Sequence, residues 1–253
     1  MTDSLSQSKR KLLGSLRQAK HRRTEGLFIA EGGKCIAELA GRFKCRIVAA
    51  SAAWCDANTN LITALAPAET YRASTADLER ITSLSTAPDV VAAFEIPEPQ
   101  GDTAPLADDI TLALDGIQDP GNLGTIIRTC SWFGIRRIIC SRDTVDIYNP
   151  KVVQSTMGAI AGVDVRYADL VEVLSSSNLP IYGTFLDGEP INSQQPPCAA
   201  VIVMGNEGKG VSAEVAATIT KRLYIPPYPA NSAHVESLNV AIATAITLAW
   251  VRR

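Results

Sequence analysis

No apolar run in this 253-residue chain reaches the ~18–20 residues that a bilayer-spanning helix requires. Its opening stretch, MTDSLSQSKRKLL, lacks the apolar core and small-residue cleavage site of a secretory signal. Both absences argue against a membrane or secreted protein, and a cytoplasmic one is expected. Six cysteines (Cys35, Cys45, Cys55, Cys130, Cys140 and Cys198) form no CxxC pair, and the two histidines fall beside them in no zinc-ligand spacing. Reduced, buried thiols and no metal are therefore expected. Internal repeats and low-complexity tracts are also missing.

What is present bounds the answer further. At 46% hydrophobic and 20% charged residues, the chain can bury one large core or two ordinary ones, and two domains are expected. A net charge of −2 argues against a protein coated in positive charge, but the charge is unevenly spread. Residues 1–46 hold eleven Lys and Arg against four Asp and Glu, a local balance of +7. Such asymmetry is the footprint of a phosphate-binding surface, because each neutralised phosphate releases counterion. A solvated helix face is the alternative. Arg10, Lys11, Arg22 and Arg23 lie in the most basic part of the segment.

Hydrophobic periodicity divides the chain in two. Residues 8–23 read as one basic helix, followed by a strand over 27–30, a helix over 33–39 and a strand over 46–50. Smaller units follow: a helix over 58–65, a strand over 69–72, a helix over 75–83 with Thr75 as its cap, and a strand over 89–96. Residues 97–109, rich in Pro, Gly and acidic residues, read as a linker. The expected division is thus 1–96, a linker 97–109, and 110–253.

In the second half, strand 110–114 runs into Asp115-GIQDPGNLG-Thr125, and Asn122 is a candidate N-cap for a helix with the apolar stripe Leu123, Ile126, Ile127, Cys130 and Phe133. Gly134 suits the left-handed position that ends such a helix. Arg128 and Thr125 lie off the stripe, so a cation stands beside a Gly-rich loop at a strand end; an ordinary surface arginine is the alternative. Strands over 137–140, 182–186 and 200–204, with a helix over 150–160, imply a mostly parallel sheet covered on both faces. After Met204 the glycines of GNEGKG fall as GxxGxG, which is neither a dinucleotide fingerprint nor a P-loop. Glu207 instead puts a carboxylate at the strand's end, where it can hold a hydroxyl or position a cation; a plain turn residue is the alternative. From Ser237 to Val251 there is no charged residue, so the predicted helix is apolar all round and is expected to be buried all round, on the sheet with one side and on a second subunit with the other. Asn239, polar in its first turn, then needs a partner.

NxGxxxRT (Asn122, Gly124, Arg128, Thr129), GNEGKG (Gly205 to Gly210) and IP…ESLNVAIA (Ile225 to Ala243) together resemble, in order and spacing, the three motifs of the SpoU-type RNA 2′-O-ribose methyltransferases of the SPOUT superfamily. The N-terminal half, with its basic helix and FIAEGGK, resembles the small ribosomal-protein-like α/β domain that many of these enzymes use to hold RNA. The resemblance implies an α/β fold whose C-terminal part is a trefoil-knotted, mostly parallel sheet. It implies S-adenosylmethionine as cofactor, a homodimer, and structured RNA as partner, ribosomal RNA before transfer RNA. By motif position, Arg128, Asn122, Glu207 and Asn239 would be catalytic. Gly205, Ile225, Leu238 and Thr184 would line the cofactor site, and Arg10, Lys11, Arg22 and Arg23 would face RNA.

Two departures from the family pattern stand out. The loop Pro227–His234 is longer and richer in proline, and Gln154 replaces a basic residue common in relatives. His234 is read as a surface or loop-packing residue in preference to a base. Two other readings compete with the methyltransferase: a non-catalytic RNA-binding or ribosome-assembly factor of the same fold, against which the intact motif residues argue, and a nucleotide-dependent oxidoreductase, against which the missing GxGxxG argues.

Overall fold

A computed structural model of the chain describes residues 3–98, 101–229 and 237–253. Packing divides the chain into two units, one made of Met1–Gln100 and Asp146–Ala161, the other of Gly101–Val145 and Gly162–Arg253. The expected division left 146–161 in the C-terminal part; these residues belong instead with the first unit.

The strands of the first unit are β1 (Asp3–Ser4), β2 (Leu27–Glu31), β3 (Cys45–Ala50), β4 (Glu69–Arg72) and β5 (Val90–Glu95), in the order β1-β4-β3-β5-β2. β3 runs parallel to β4, and β5 lies antiparallel between β3 and β2. Helices α1 (Gln7–Ser15), α2 (Ala19–Glu25), α3 (Gly33–Leu39), α4 (Ala52–Ala57), α5 (Thr59–Leu65) and α6 (Thr75–Ile81) connect them. The single helix expected over 8–23 is broken after Ser15. Arg22 supplies the reason: its Nη1 donates to the carbonyls of Leu16 and Arg17, which a continuous helix would have bonded along its own axis. Ser74, not Thr75, caps α6, completing a reciprocal capping box with Asp77.

Arg22 also corrects an expectation about the surface. Its side chain is 2% exposed and ion-paired to Asp146 at 2.5 Å, so it is a structural anchor and does not face RNA. Arg10 is half-buried and paired with Asp77 at 2.5 Å, whereas Lys11 and Arg23 are exposed. The segment that Arg22 holds continues with Tyr148, whose ring lies 4.9 Å from that of Phe28, and with helix α8 (Pro150–Thr156), which packs on β2. The helix expected over 150–160 stops at Thr156 because Met157 and Gly158 both take left-handed backbone, and a short 3-10 turn, Ala159–Ala161, follows.

The second unit holds β6 (Ile110–Asp115), α7 (Pro120–Trp132), β7 (Arg137–Ser141), β8 (Asp164–Ala168), α9 (Leu170–Ser175), β9 (Ile181–Pro190), β10 (Ala200–Gly205), α10 (Ala213–Ala216), β11 (Lys221–Tyr224) and α11 (Val240–Val251). Its six strands lie in the order β11-β9-β10-β6-β7-β8, and every neighbouring pair is parallel. The central strands β6 and β10 are buried nearly throughout, as their unbroken apolar runs require. Parallel pairing collects their C-terminal ends on one edge, where Gly205 sits in register with Asp115. Helix α11 packs on α7 and β10 but leaves Ile242 53% exposed, and Ile246 is exposed as well. Among the described residues this helix is therefore not buried all round, because no other described element covers its outer face. Among the described residues no helix is long and apolar enough to cross a membrane.

Five cysteines are buried, and burial pushes the thiols of Cys35 and Cys45 up to about 11 and about 12; Cys198 departs from expectation in being exposed. In native protein a thiol-reactive disulfide reagent should titrate Cys198 alone, and all six after denaturation. Rapid modification of a second thiol in the native state would contradict this core. Arg22→Ala should lower the unfolding free energy in urea by about 3 kcal/mol, and Arg23→Ala by less than about 0.5 kcal/mol.

Candidate active site

The first turn of α7 starts the site. Asp119 is its N-cap, accepting from the Asn122 N–H at 2.8 Å, and Pro120 fills the first helical position, where its missing N–H costs nothing. Asn122 was expected as the cap; because Asp119 does that work, the Asn122 amide is free to point across the sheet edge. Its Nδ2 donates to Glu207 Oε1 at 2.7 Å, and its Oδ1 accepts from Asn239 Nδ2 at 3.0 Å.

Asn239 is not inside α11 but caps it, its Oδ1 accepting from the N–H groups of Ala241 and Ile242. This fixes the orientation of every amide in the row. An oxygen spent on the cap leaves Asn239 only a donor for Asn122, and Asn122 then has only a donor for Glu207. The first turn of α7 and the cap of α11 thereby join in one hydrogen-bonded row that ends on the Glu207 carboxylate.

Glu207 rides on a tight turn wired from within. The backbones of Asn206 and Gly210 exchange two hydrogen bonds of 2.9 Å, and Asn206 Oδ1 accepts from the N–H groups of Gly208 and Lys209. Asn206 Nδ2 reaches back to the carbonyl of Gly116 at 2.7 Å, joining the turn to the loop after β6. Asp115 adds a second tie by accepting from the Ser212 N–H at 2.7 Å. Sequence reasoning passed over Asn206 and Asp115; an Asn leading into GxxGxG turn backbone was the legible sign of the first. At Gly205 the strand runs so near the returning turn that a Cβ would collide with the backbone of Gly210 and Val211.

Three of the four expected catalytic residues, Asn122, Glu207 and Asn239, are thus joined in one row. Arg128 is not. Six residues beyond Asn122, it lies about 9 Å along α7 and about 120° around it. It is exposed, as the periodicity predicted, beside Thr125, whose hydroxyl is spent on the Gly121 carbonyl. No ion pair reaches Arg128 among the described residues.

Gly205, Thr184 and Ile225 belong to the neighbouring strands β10, β9 and the exit of β11, and Leu238 precedes the α11 cap. The Thr184 hydroxyl lies 3.8 Å from Met204 Sδ. Ile225 is half-buried and Leu238 exposed, leaving apolar surface beside the strand ends. His234 and most of the unusual loop lie outside the described residues. Among those described, no cluster of His, Cys, Asp and Glu has the make-up of a metal site.

Comparison with known proteins bears on the whole chain. Residues 109–249 match the SpoU rRNA Methylase family, and residues 8–93 match the MRM3-like substrate binding domain. A 23S rRNA (guanosine(2553)-2′-O)-methyltransferase, RlmP, of Bacillus subtilis is 32% identical over 186 residues, 72% of each protein. The human mitochondrial rRNA methyltransferase 1 is 32% identical over 54% of this chain and 43% of its own. A solved Porphyromonas gingivalis structure ascribed to the TrmH family of RNA methyltransferases superposes with a TM-score of 0.84 at 40% identity, covering 98% of both chains. An AdoMet-bound rRNA methyltransferase from Sinorhizobium meliloti gives 0.83 at 28% identity, covering 99% of this chain and 96% of its own.

Gly205→Ala tests the close approach of strand and turn. The added methyl must push backbone, so a loss of about 2 kcal/mol or more in urea unfolding is expected, and a neutral result would overturn the packing described.

Proposed function

The chain belongs to the SpoU rRNA methylase family, and we propose that it is an S-adenosylmethionine-dependent RNA 2′-O-ribose methyltransferase acting on ribosomal RNA. The single observation that carries the catalytic reading is the row Asn239–Asn122–Glu207, which ties all three motifs to one carboxylate at the sheet's C-terminal edge.

The residues present fit the cofactor. Gly205 keeps the strand end free of a side chain, and Ile225 and Leu238 offer apolar surface to an adenosine. When bound, S-adenosylmethionine supplies an electrophilic methyl carbon whose bond to sulfur breaks as the new bond to the ribose oxygen forms, leaving a neutral thioether. This chain's residues have two tasks: aligning the 2′-hydroxyl and removing its proton. Glu207 suits the second. One oxygen is engaged by Asn122, while the other has no partner among the described residues and can accept the hydroxyl proton directly or through a water. A guanidinium holds its proton so firmly that it is a poor base at neutral pH. Arg128 is accordingly assigned to gripping the neighbouring phosphate and stabilising charge that develops on the ribose oxygen.

The proposal includes a homodimer. The packed helices α7 and α11 leave Trp132, at 85%, and Ile242 and Ile246 exposed, an apolar face that a second copy would cover. Such a dimer accounts for an Arg128 set apart from the row in its own chain, since in this family the arginine and the cofactor can come from different subunits. The trefoil knot and a cytoplasmic location are parts of the same reading, as is an RNA-facing role for Lys11 and Arg23.

Calorimetry should show S-adenosylmethionine binding, and ribose methylation mapped in total RNA from a deletion strain should lack one alkali-resistant position present in the parent. Arg128→Ala and Glu207→Gln should each lower kcat by about 10²-fold or more. Unchanged methylation in Arg128→Ala cells would favour the non-catalytic, ribosome-assembly reading instead.

A further inference from the structure

β9 and β11 pair in parallel, yet their register jumps. Arg222 stands opposite Gly183 while the very next residue, Leu223, stands opposite Glu189. Residues 184–188 therefore leave the ladder as a five-residue excursion, where an ordinary bulge inserts one. Its far end is pinned at Gly188, where a Cβ would run into the backbone of Leu223 and Arg222. Its middle stands in solvent, with Leu186 71% exposed.

One side chain spans that middle. Arg222 donates from Nε and Nη2 to Asp187 Oδ1, at 3.2 and 2.6 Å, and its guanidinium carbon lies 3.5 Å from the centroid of the Phe185 ring. The hydrogen bond from Arg222 holds the Asp187 carboxyl below the usual carboxylate range. The excursion begins at Thr184, against Met204, the residue before Gly205. Whatever fixes residues 184–188 fixes the wall next to the strand end assigned to the cofactor.

We propose that Arg222 is a positioning residue for the methyl donor: by clamping Phe185 and Asp187 it holds the 184–188 excursion in the shape that receives S-adenosylmethionine. The inference rests on the reading of this edge as the cofactor site. Its physical basis is preorganisation, because a segment already ordered loses less freedom when the donor docks. Fork geometry and ring stacking together are properties of arginine that lysine does not reproduce. The clamp lies apart from the Asn239–Asn122–Glu207 row, so it bears on donor binding more than on the chemical step.

Calorimetric titration of S-adenosylmethionine into the full-length parent, Arg222→Ala, Arg222→Lys and Asp187→Asn proteins tests this. Arg222→Ala should raise the Kd, and the KM for the donor, by about tenfold, with kcat at saturating donor changing by a smaller factor. Arg222→Lys should recover part of the loss, and Asp187→Asn, an exposed and conservative change, should shift the Kd in the same direction and keep the parent's melting profile. Parent-like affinity in a folded Arg222→Ala protein, or in Asp187→Asn should Arg222→Ala fail to fold, would overturn the clamp and leave the methyltransferase reading standing. No donor uptake by the parent would sink that reading and the clamp with it.

Discussion

Glu207 is held by an amide that has no freedom to turn. Asn122 carries one oxygen and one nitrogen, and which of them meets the carboxylate is decided 117 residues later, where Asn239 spends its own oxygen on capping α11. Flipping Asn122 would set oxygen against a carboxylate at one end and nitrogen against nitrogen at the other. The helix cap, a local backbone requirement, thus sets the polarity of a row that crosses from one element to the next and ends on the site's acidic group. Every other feature of the site keeps these three residues within reach of one another.

The parallel sheet does most of that. With β6 and β10 adjacent and in register at Asp115 and Gly205, the loops that follow them start side by side, and the α7 N-terminus and the Glu207 turn emerge together. Asn206 and Asp115 then join the two loops directly. The α7 N-terminus and the amide that Asn122 turns to this edge are dipoles fixed in advance, which suits a reaction in which negative charge builds on an attacking oxygen. Preorganised dipoles of this kind need no rearrangement as the reaction proceeds.

Much of this was legible in the sequence, and the misses have physical causes. The central strands announced themselves as continuous apolar runs, and Gly134 ends α7 in the left-handed conformation expected of it. Asp119 and Asn122 are both good caps, three residues apart, and only the distant Glu207 reveals which is released from capping. The short helices α4 and α9 and the half-buried edge strand β8 carried too little periodicity to be read. Arg22 looked like its basic neighbours because its partner, Asp146, lies 124 residues away. The register jump in β9 left no mark in composition, since the choice between ladder and excursion is made by the opposing strand. Arg128 was placed correctly on the outer side of its helix, but no pattern in the chain could join it to the rest.

The allocation of Asp146–Ala161 to the first unit means that the polypeptide passes between units three times, near residues 100, 145 and 161. A gene fragment beginning after residue 100 would therefore not release a self-contained C-terminal module. It would carry α8 without β2 beneath it, and Val152, Val153 and Thr156, all buried in the intact protein, would be stripped of their packing. A cut at the apparent linker carries the same penalty, because α8 follows the linker in sequence but packs with the strands that precede it.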